Sequence, residues 1–138
     1  MDYIIRNVKE EDYDTLYKWF KEWRWPVPPS REVLPDDMSQ GVMIEYKGNA
    51  LCAGFVYATS SSSMFIMEWI ISDYQEKDRL VRANGLNVLI RTLIDFATAA
   101  GAKAIFTYGR NENLINSRKT NGFIVGSKNS TEMIYNIL

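Results

Sequence analysis

The sequence predicts a mixed α/β (α+β) fold, a mostly antiparallel sheet of six to seven strands flanked by helices. Three observations point there. Short β-prone runs separated by turn residues recur through 42–72, the pattern of antiparallel hairpins. A long helical repeat over 86–100 separates two strand-like runs, 64–72 and 104–108, as a crossover connection does. Two further short runs, 123–127 and 131–137, flank a polar turn.

Each element has its own signal. Tyr3 to Val8 is short and β-prone, and Lys9-Glu10-Glu11-Asp12 then places acids where a helix N-terminus favours them. Tyr13, Leu16, Tyr17, Phe20 and Trp23 recur at steps of three and four, with Asp14, Lys18, Lys21 and Glu22 opposite, so an amphipathic helix follows. It stops near Trp25, because Pro26, Pro28 and Pro29 cannot continue it. Ser30 is placed to cap a short helical turn. Val42 to Tyr46 and Leu51 to Thr59 form a hairpin around Lys47-Gly48-Asn49. Met64 to Ser72 is nearly all apolar, as central strands covered on both faces are. Leu86, Leu89, Ile90, Leu93, Ile94, Ala97 and Ala100 line one helix face, and Gly101 is placed as its C′ stop. Ala104 to Tyr108 reads as a strand, Glu112 to Thr120 as a helix, and Phe123 to Ser127 and Thr131 to Ile137 as closing strands.

Composition narrows the function. The 138 residues are 46% hydrophobic and 24% charged, as expected of a single globular domain over 1–138. Sixteen basic and seventeen acidic residues leave a net charge of −1, so nucleic acid is not expected as a partner. Lys77, Arg79, Arg82, Lys103, Arg110, Arg118 and Lys119 nevertheless all fall in the second half, which keeps a nucleic-acid-related modifier as an alternative. There is no histidine and one cysteine, which excludes Ser-His-Asp and Cys-His catalysis, histidine-ligated metals and an internal disulfide. No metal site is expected. Cys52 sits in an apolar strand and is expected to be a buried, inert thiol. Met1 to Arg6 has an early acid and no long apolar core, so neither a signal peptide nor a membrane span is expected, and the location is read as cytoplasmic.

Candidate chemistry concentrates between Glu68 and Ile90. A helix beginning near Asn84-Gly85 would present free N–H groups and a positive dipole end to a phosphate, with Arg79 and Arg82 beside it. The alternative is a plain strand-to-helix loop whose glycine serves geometry. Glu68 is the single charge between Ser63 and Asp73. A carboxylate in such a run is either a proton acceptor bordering a cleft or a strand-end group turned to solvent.

The order of elements, the Gly85 helix start and the late Asn111…Gly122-Phe123 resemble the GNAT superfamily of acyl-CoA-dependent N-acyltransferases, across essentially the whole chain. The chain's brevity resembles that of phage-encoded members. Arg82-Ala83-Asn84-Gly85-Leu86-Asn87 is similar to the family's Gln/Arg-x-x-Gly-x-Gly/Ala signature, with Asn87 replacing the second small residue. Arg118 stands where many relatives carry the tyrosine that protonates the leaving thiolate.

The resemblance implies acetyl transfer from acetyl-CoA to an amine acceptor by direct attack. It places the pyrophosphate on residues 82 to 87, with Asn111 at the family's asparagine position, and the thioester oxygen on the backbone N–H near Ile70 or Ile71. Glu68 takes the general-base position, and Tyr108 is the nearest replacement acid. Trp23, Arg24 and Trp25 lie in the segment that covers the acceptor in relatives. A monomer or homodimer is expected. The alternative is a catalytically silent GNAT-fold protein that binds acyl-CoA or a partner.

Overall fold

The computed structural model describes residues 2–109, 112–128 and 130–137. As far as Thr120 the elements follow the expected order. They are β1 (Tyr3–Asn7), α1 (Tyr13–Glu22), β2 (Gly41–Tyr46), β3 (Asn49–Ala58), β4 (Met64–Ser72), α2 (Arg79–Ala99), β5 (Ala104–Thr107) and α3 (Glu112–Thr120). Short 3-10 turns lie at Glu10–Asp12, Arg31–Val33 and Pro35–Met38. Ser30 does occupy the N-cap of the second of these, although its side chain makes no capping bond.

The described residues form one five-stranded sheet in the order β1-β2-β3-β4-β5. The first four strands pair antiparallel, and β5 joins β4 in parallel, which is the pairing a crossover helix permits. The two faces of the sheet carry separate cores. On one, Leu86, Leu89, Ile90, Leu93 and Ala97 of α2 share a buried cluster with Ile44, Leu51, Cys52, Val56 and Met67. On the other, Leu16, Trp19 and Phe20 of α1 meet Met43, Ala53 and Phe55. Full burial of each large apolar side chain contributes about 1.5–3 kcal/mol, so both helices are held mainly by these faces. Among the described residues, no helix is long and apolar enough to cross a membrane.

Three expectations change. First, α1 is rotated from the expected stripe. Trp19 is buried while Tyr17 is 42% exposed, because the face that meets the sheet runs through 16, 19, 20 and 23.

Second, α2 begins at Arg79 and not near Asn84-Gly85. Asp78 caps it, its carboxylate accepting from the amides of Leu80 at 3.0 Å and Val81 at 3.3 Å. The apolar stripe therefore extends backward through Val81 and Gly85. A Cβ on Gly85 would strike the Leu51 side chain and touch the Tyr3 ring. The Tyr3 hydroxyl donates to the Val81 carbonyl at 2.8 Å, fixing the first turns of α2 against the sheet. Gly85 is thus a point of close approach between helix and sheet.

Third, the described residues form five strands and not six to seven. The described residues of 123–137 form no ladder, and Ile124, Met133, Tyr135 and Ile137 are each at least 86% exposed. Apolar residues in alternation favour an extended chain, but a strand exists only where a neighbour supplies its hydrogen bonds. Here the adjacent edge strand, β5, is four residues long.

Two outcomes follow from this packing. Gly85→Ala should destabilise the fold by about 1–3 kcal/mol in urea denaturation, even though alanine is the better helix former. A rise in the unfolding midpoint would show that the helix can retreat from Leu51. Cys52 is fully buried and its thiol is pushed far up by desolvation. Native protein should therefore react with a thiol reagent only as fast as the fold opens.

Candidate active site

The site begins with a fault in the ladder between β3 and β4. Ala53 pairs with Ile71 and Phe55 with Glu68, so Trp69 and Ile70 together oppose Gly54 alone. This is a β-bulge. It requires Trp69 to adopt a left-handed backbone, φ 53°, which costs a bulky residue on the order of 1–3 kcal/mol. The bulge also reverses the parity of the strand. Phe65 and Met67 point to the α2 core, and so does Ile70 where an unbroken strand would have placed Trp69. Gly54 makes this possible, because any Cβ there would collide with the Ile70 side chain. The Trp69 ring turns to the α1 side, stacked on Tyr57 with centroids 6.0 Å apart and edge-on to Phe55 at 6.3 Å.

The pairing of β4 with β5 stops just before the bulge. Their parallel register covers Met64 to Met67 against Ala104 to Thr107, and the Thr107 hydroxyl closes it on the Met67 carbonyl at 2.8 Å. Past that bond the strands enclose a cleft. Glu68, Ile70, Ile71 and Ser72 form its β4 wall. Tyr108, Leu114 and Arg118 form the opposite wall, and Arg82 and Leu86 of α2 lie at one side. Trp23 and Trp25 close the α1 side.

Local contacts hold these groups. The Glu68 carboxylate accepts from the Trp69 amide at 3.3 Å and so braces the bulge as well as facing the cleft. The Trp23 indole donates to the Ser72 carbonyl at 2.8 Å and meets Tyr74 edge-on, which ties the end of α1 to the end of β4. The Arg82 guanidinium lies over the Trp23 ring and donates to the carbonyls of Asp73 and Glu76. Arg118 is 95% buried, with 5% of its surface exposed, and donates through Nη1 to the Tyr108 carbonyl. Burial lowers the Arg118 pKa from its ordinary value, while the charge of Glu68 acts in the opposite direction. Tyr57 is pushed up by burial and then by the charges of Glu68 and Tyr108.

The structure therefore brings together Glu68, Tyr108, Ile70, Ile71, Arg82, Leu86, Arg118, Trp23 and Trp25. It does not bring Arg24 to the cleft. Arg24 is exposed at the left-handed C-terminal cap of α1, φ 61°, where its amide donates back to the Lys21 carbonyl. The expected phosphate cradle also changes. Ala83, Asn84, Gly85 and Asn87 lie inside α2, so their amides belong to the helix ladder, and the first-turn amides of Leu80 and Val81 are already taken by Asp78. Asn87 turns to α3 and accepts from Asn121 at 3.4 Å. Arg79 is exposed on the first turn of α2. Asn111 and Arg110 lie outside the described residues.

Ser72, Leu114 and Glu132 also line the cleft, and Tyr57 stands beside Trp69. Sequence reasoning did not single these out. They come from four separate parts of the chain, and no spacing rule connects them.

No family profile matches the chain, and no curated protein does. Solved structures do match. N-acetylglutamate synthase from Neisseria gonorrhoeae, complexed with coenzyme A and L-arginine, superposes with a TM-score of 0.73 at 18% identity, covering 95% of this chain and 29% of the synthase. The chain thus spans less than a third of that protein. Ard1 from Thermoplasma volcanium gives a TM-score of 0.72 at 12% identity, covering 92% of this chain and 86% of the other. Glucosamine-6-phosphate N-acetyltransferase from Arabidopsis thaliana gives 0.62 at 13% identity, covering 99% of each chain. At these identities the likeness is one of fold.

Arg82 supplies a direct check on how the cleft is held. Arg82→Met removes charged hydrogen bonds to the 73–76 link and the cation over Trp23. It should cost about 1.5–3 kcal/mol and should open the Lys77 and Arg79 bonds to trypsin in limited proteolysis. Unchanged stability with an unchanged digestion pattern would mean that the link is held by other contacts.

Proposed function

We propose that this chain, built on the GNAT fold, transfers an acyl group, acetyl foremost, from acyl-CoA to a primary amine by direct attack. The observation that carries the reading is the cleft at the β4 bulge, with a carboxylate on one wall and a buried guanidinium on the other. A thioester laid in that cleft would meet the backbone of Ile70 and Ile71, where N–H groups can stabilise charge on its oxygen. Glu68 faces the same space and takes the amine's proton, directly or through water. Trp23 and Trp25 form the apolar wall on the acceptor side. Tyr108, just after β5, supplies a hydroxyl-bearing side chain on the facing wall of the cleft.

The pyrophosphate is placed differently from the sequence expectation. With the amides of 83–87 inside a helix, anion binding falls to side-chain cations, of which Arg79 and Lys77 are exposed at the start of α2. The acceptor is a small amine or a peptide or protein amine, and the reading treats residues 1–138 as one cytoplasmic domain.

One feature favours a second reading, that of a silent acyl-CoA binder. Asp78 places a carboxylate on the helix start where a phosphate would otherwise dock. Two measurements separate the readings. Acetyl-CoA at ~100 times its dissociation constant should stabilise the fold by about 2.7 kcal/mol under either. Thiol release with a panel of amines should occur only in an enzyme. No thermal shift at millimolar acetyl-CoA would remove both. For the enzyme, Glu68→Gln should lower kcat by about 10²–10⁴-fold while preserving the acetyl-CoA shift. Full turnover by this variant across pH 6–9 would assign the amine's proton to solvent.

A further inference from the structure

Arg118 is a cation with an unmet bonding demand. Its side chain is 95% buried, at 5% exposure, on the α3 wall of the cleft. Nη1 is spent on the Tyr108 carbonyl, while Nε is buried with no hydrogen-bond partner among the described residues. Structures rarely leave an orphaned donor on a buried charge without a water or a ligand to complete it. The other charged or titratable groups facing the same space are Glu68 from β4, Arg82 from α2, Tyr108 after β5 and Glu132 from the C-terminal segment. Arg82 is tied to the carbonyls of the 73–76 link. Arg82 Nε likewise lacks a partner among the described residues, but Arg82 is only half-buried and its Nη2 is committed to those carbonyls, so Arg118 is the more deeply desolvated guanidinium on which an incoming negative charge acts.

The acyl-transfer reading specifies where a negative charge arises. The amine nitrogen gives its lone pair to the acyl carbon and the N–C bond forms. The C–S bond breaks, and its electron pair stays on sulfur. The amine's proton goes to Glu68 or water. Sulfur must then take a proton or be held as an anion. A guanidinium does not give up its proton in the neutral range, even with its pKa lowered by burial. We infer that Arg118 holds the leaving group as a thiolate, an electrostatic role in place of acid catalysis, and that the thiolate is protonated by solvent only after it departs.

This role rests on the acyl-transfer reading, and the ionisation of bound CoA tests it apart from turnover. A free thiol titrates near ~8.5, and an opposite charge close by lowers such a value by about 1–3. The ultraviolet absorbance of the thiolate would be followed as CoA bound to the protein is titrated from pH 6 to about 9.5, below the ordinary tyrosine range. Desulfo-CoA provides the blank. Cys52 is the protein's single cysteine and burial keeps its thiol protonated throughout, so the signal reports CoA.

Bound CoA should titrate at least one pH unit below free CoA, equivalent to about tenfold tighter binding of the thiolate than of the thiol. Arg118→Gln should return it to the free value, Arg118→Lys should retain most of the lowering, and Arg82→Met should leave it low. A wild-type complex that titrates like free CoA overturns the assignment without reference to any variant, so a glutamine variant that fails to fold does not protect it. Equal lowering in wild type and Arg118→Gln also overturns it. Absence of CoA binding in the thermal-shift measurement would overturn the acyl-transfer reading itself, a result distinct from normal ionisation of bound CoA.

Discussion

The two-against-one pairing of Trp69 and Ile70 with Gly54 is the constraint on which the rest of the site depends. β5 is paired with β4 over all four of its residues, and the cleft opens past that ladder, where β4 is bulged. One extra residue bends the strand and reverses which side chains face which core, just past the Thr107–Met67 bond. The conformational cost falls on Trp69 in a left-handed backbone. It is offset by three local gains: the ring contacts of Trp69 with Tyr57 and Phe55, the space that Gly54 gives Ile70, and the Glu68 carboxylate on the Trp69 amide. Glu68 therefore carries a structural task in addition to the chemical one proposed for it.

The second organising contact is the docking of α2. Gly85 and Leu51 set how closely the helix lies on the sheet, and a bulge in β3 puts Leu51 and Cys52 on the same face to receive it. Close docking draws Val81 into the core and extends the helix back to Asp78. The same extension moves the helix's first turn back to 79–82, where the Asp78 carboxylate takes the amides of Leu80 and Val81. Arg82 has two roles, since the cation that borders the cleft also fastens the link leading into α2.

Electrostatics in the cleft follow from its burial. Burial disfavours the charged form of the Arg118 guanidinium, and the nearby Glu68 charge acts in the opposite direction. The aromatic side at Trp23 and Trp25 adds apolar surface and excludes water from that edge. Trp23 reaches this position because its indole N–H has a carbonyl to meet at Ser72.

Much of the fold was legible in the sequence because it is set by local rules. The 3.6-residue repeats of α1 and α2, the hairpin around Lys47–Gly48, the stop at Gly101, and the apolar run of β4 each depend on residues close together in the chain. The burial of Cys52 was legible for the same reason, whereas Glu68 and Tyr108 were expected at one site only through the family resemblance. The start of α2 was not legible in this way: Asp78 caps it, and Asn84-Gly85 lie inside the helix. Tertiary structure alone decided the rest. Whether Gly85 faces a ligand or Leu51 depends on what lies across from it, 34 positions away in the sequence. Whether 123–137 pairs depends on an edge that the segment does not itself contain. Whether Arg24 or Arg118 enters the cleft depends on where the chain turns at the end of α1 and on how α3 lies against α2 and the Tyr108 carbonyl. Local propensity determines which elements form, whereas a site is made of contacts between elements, and those are fixed only when the elements pack.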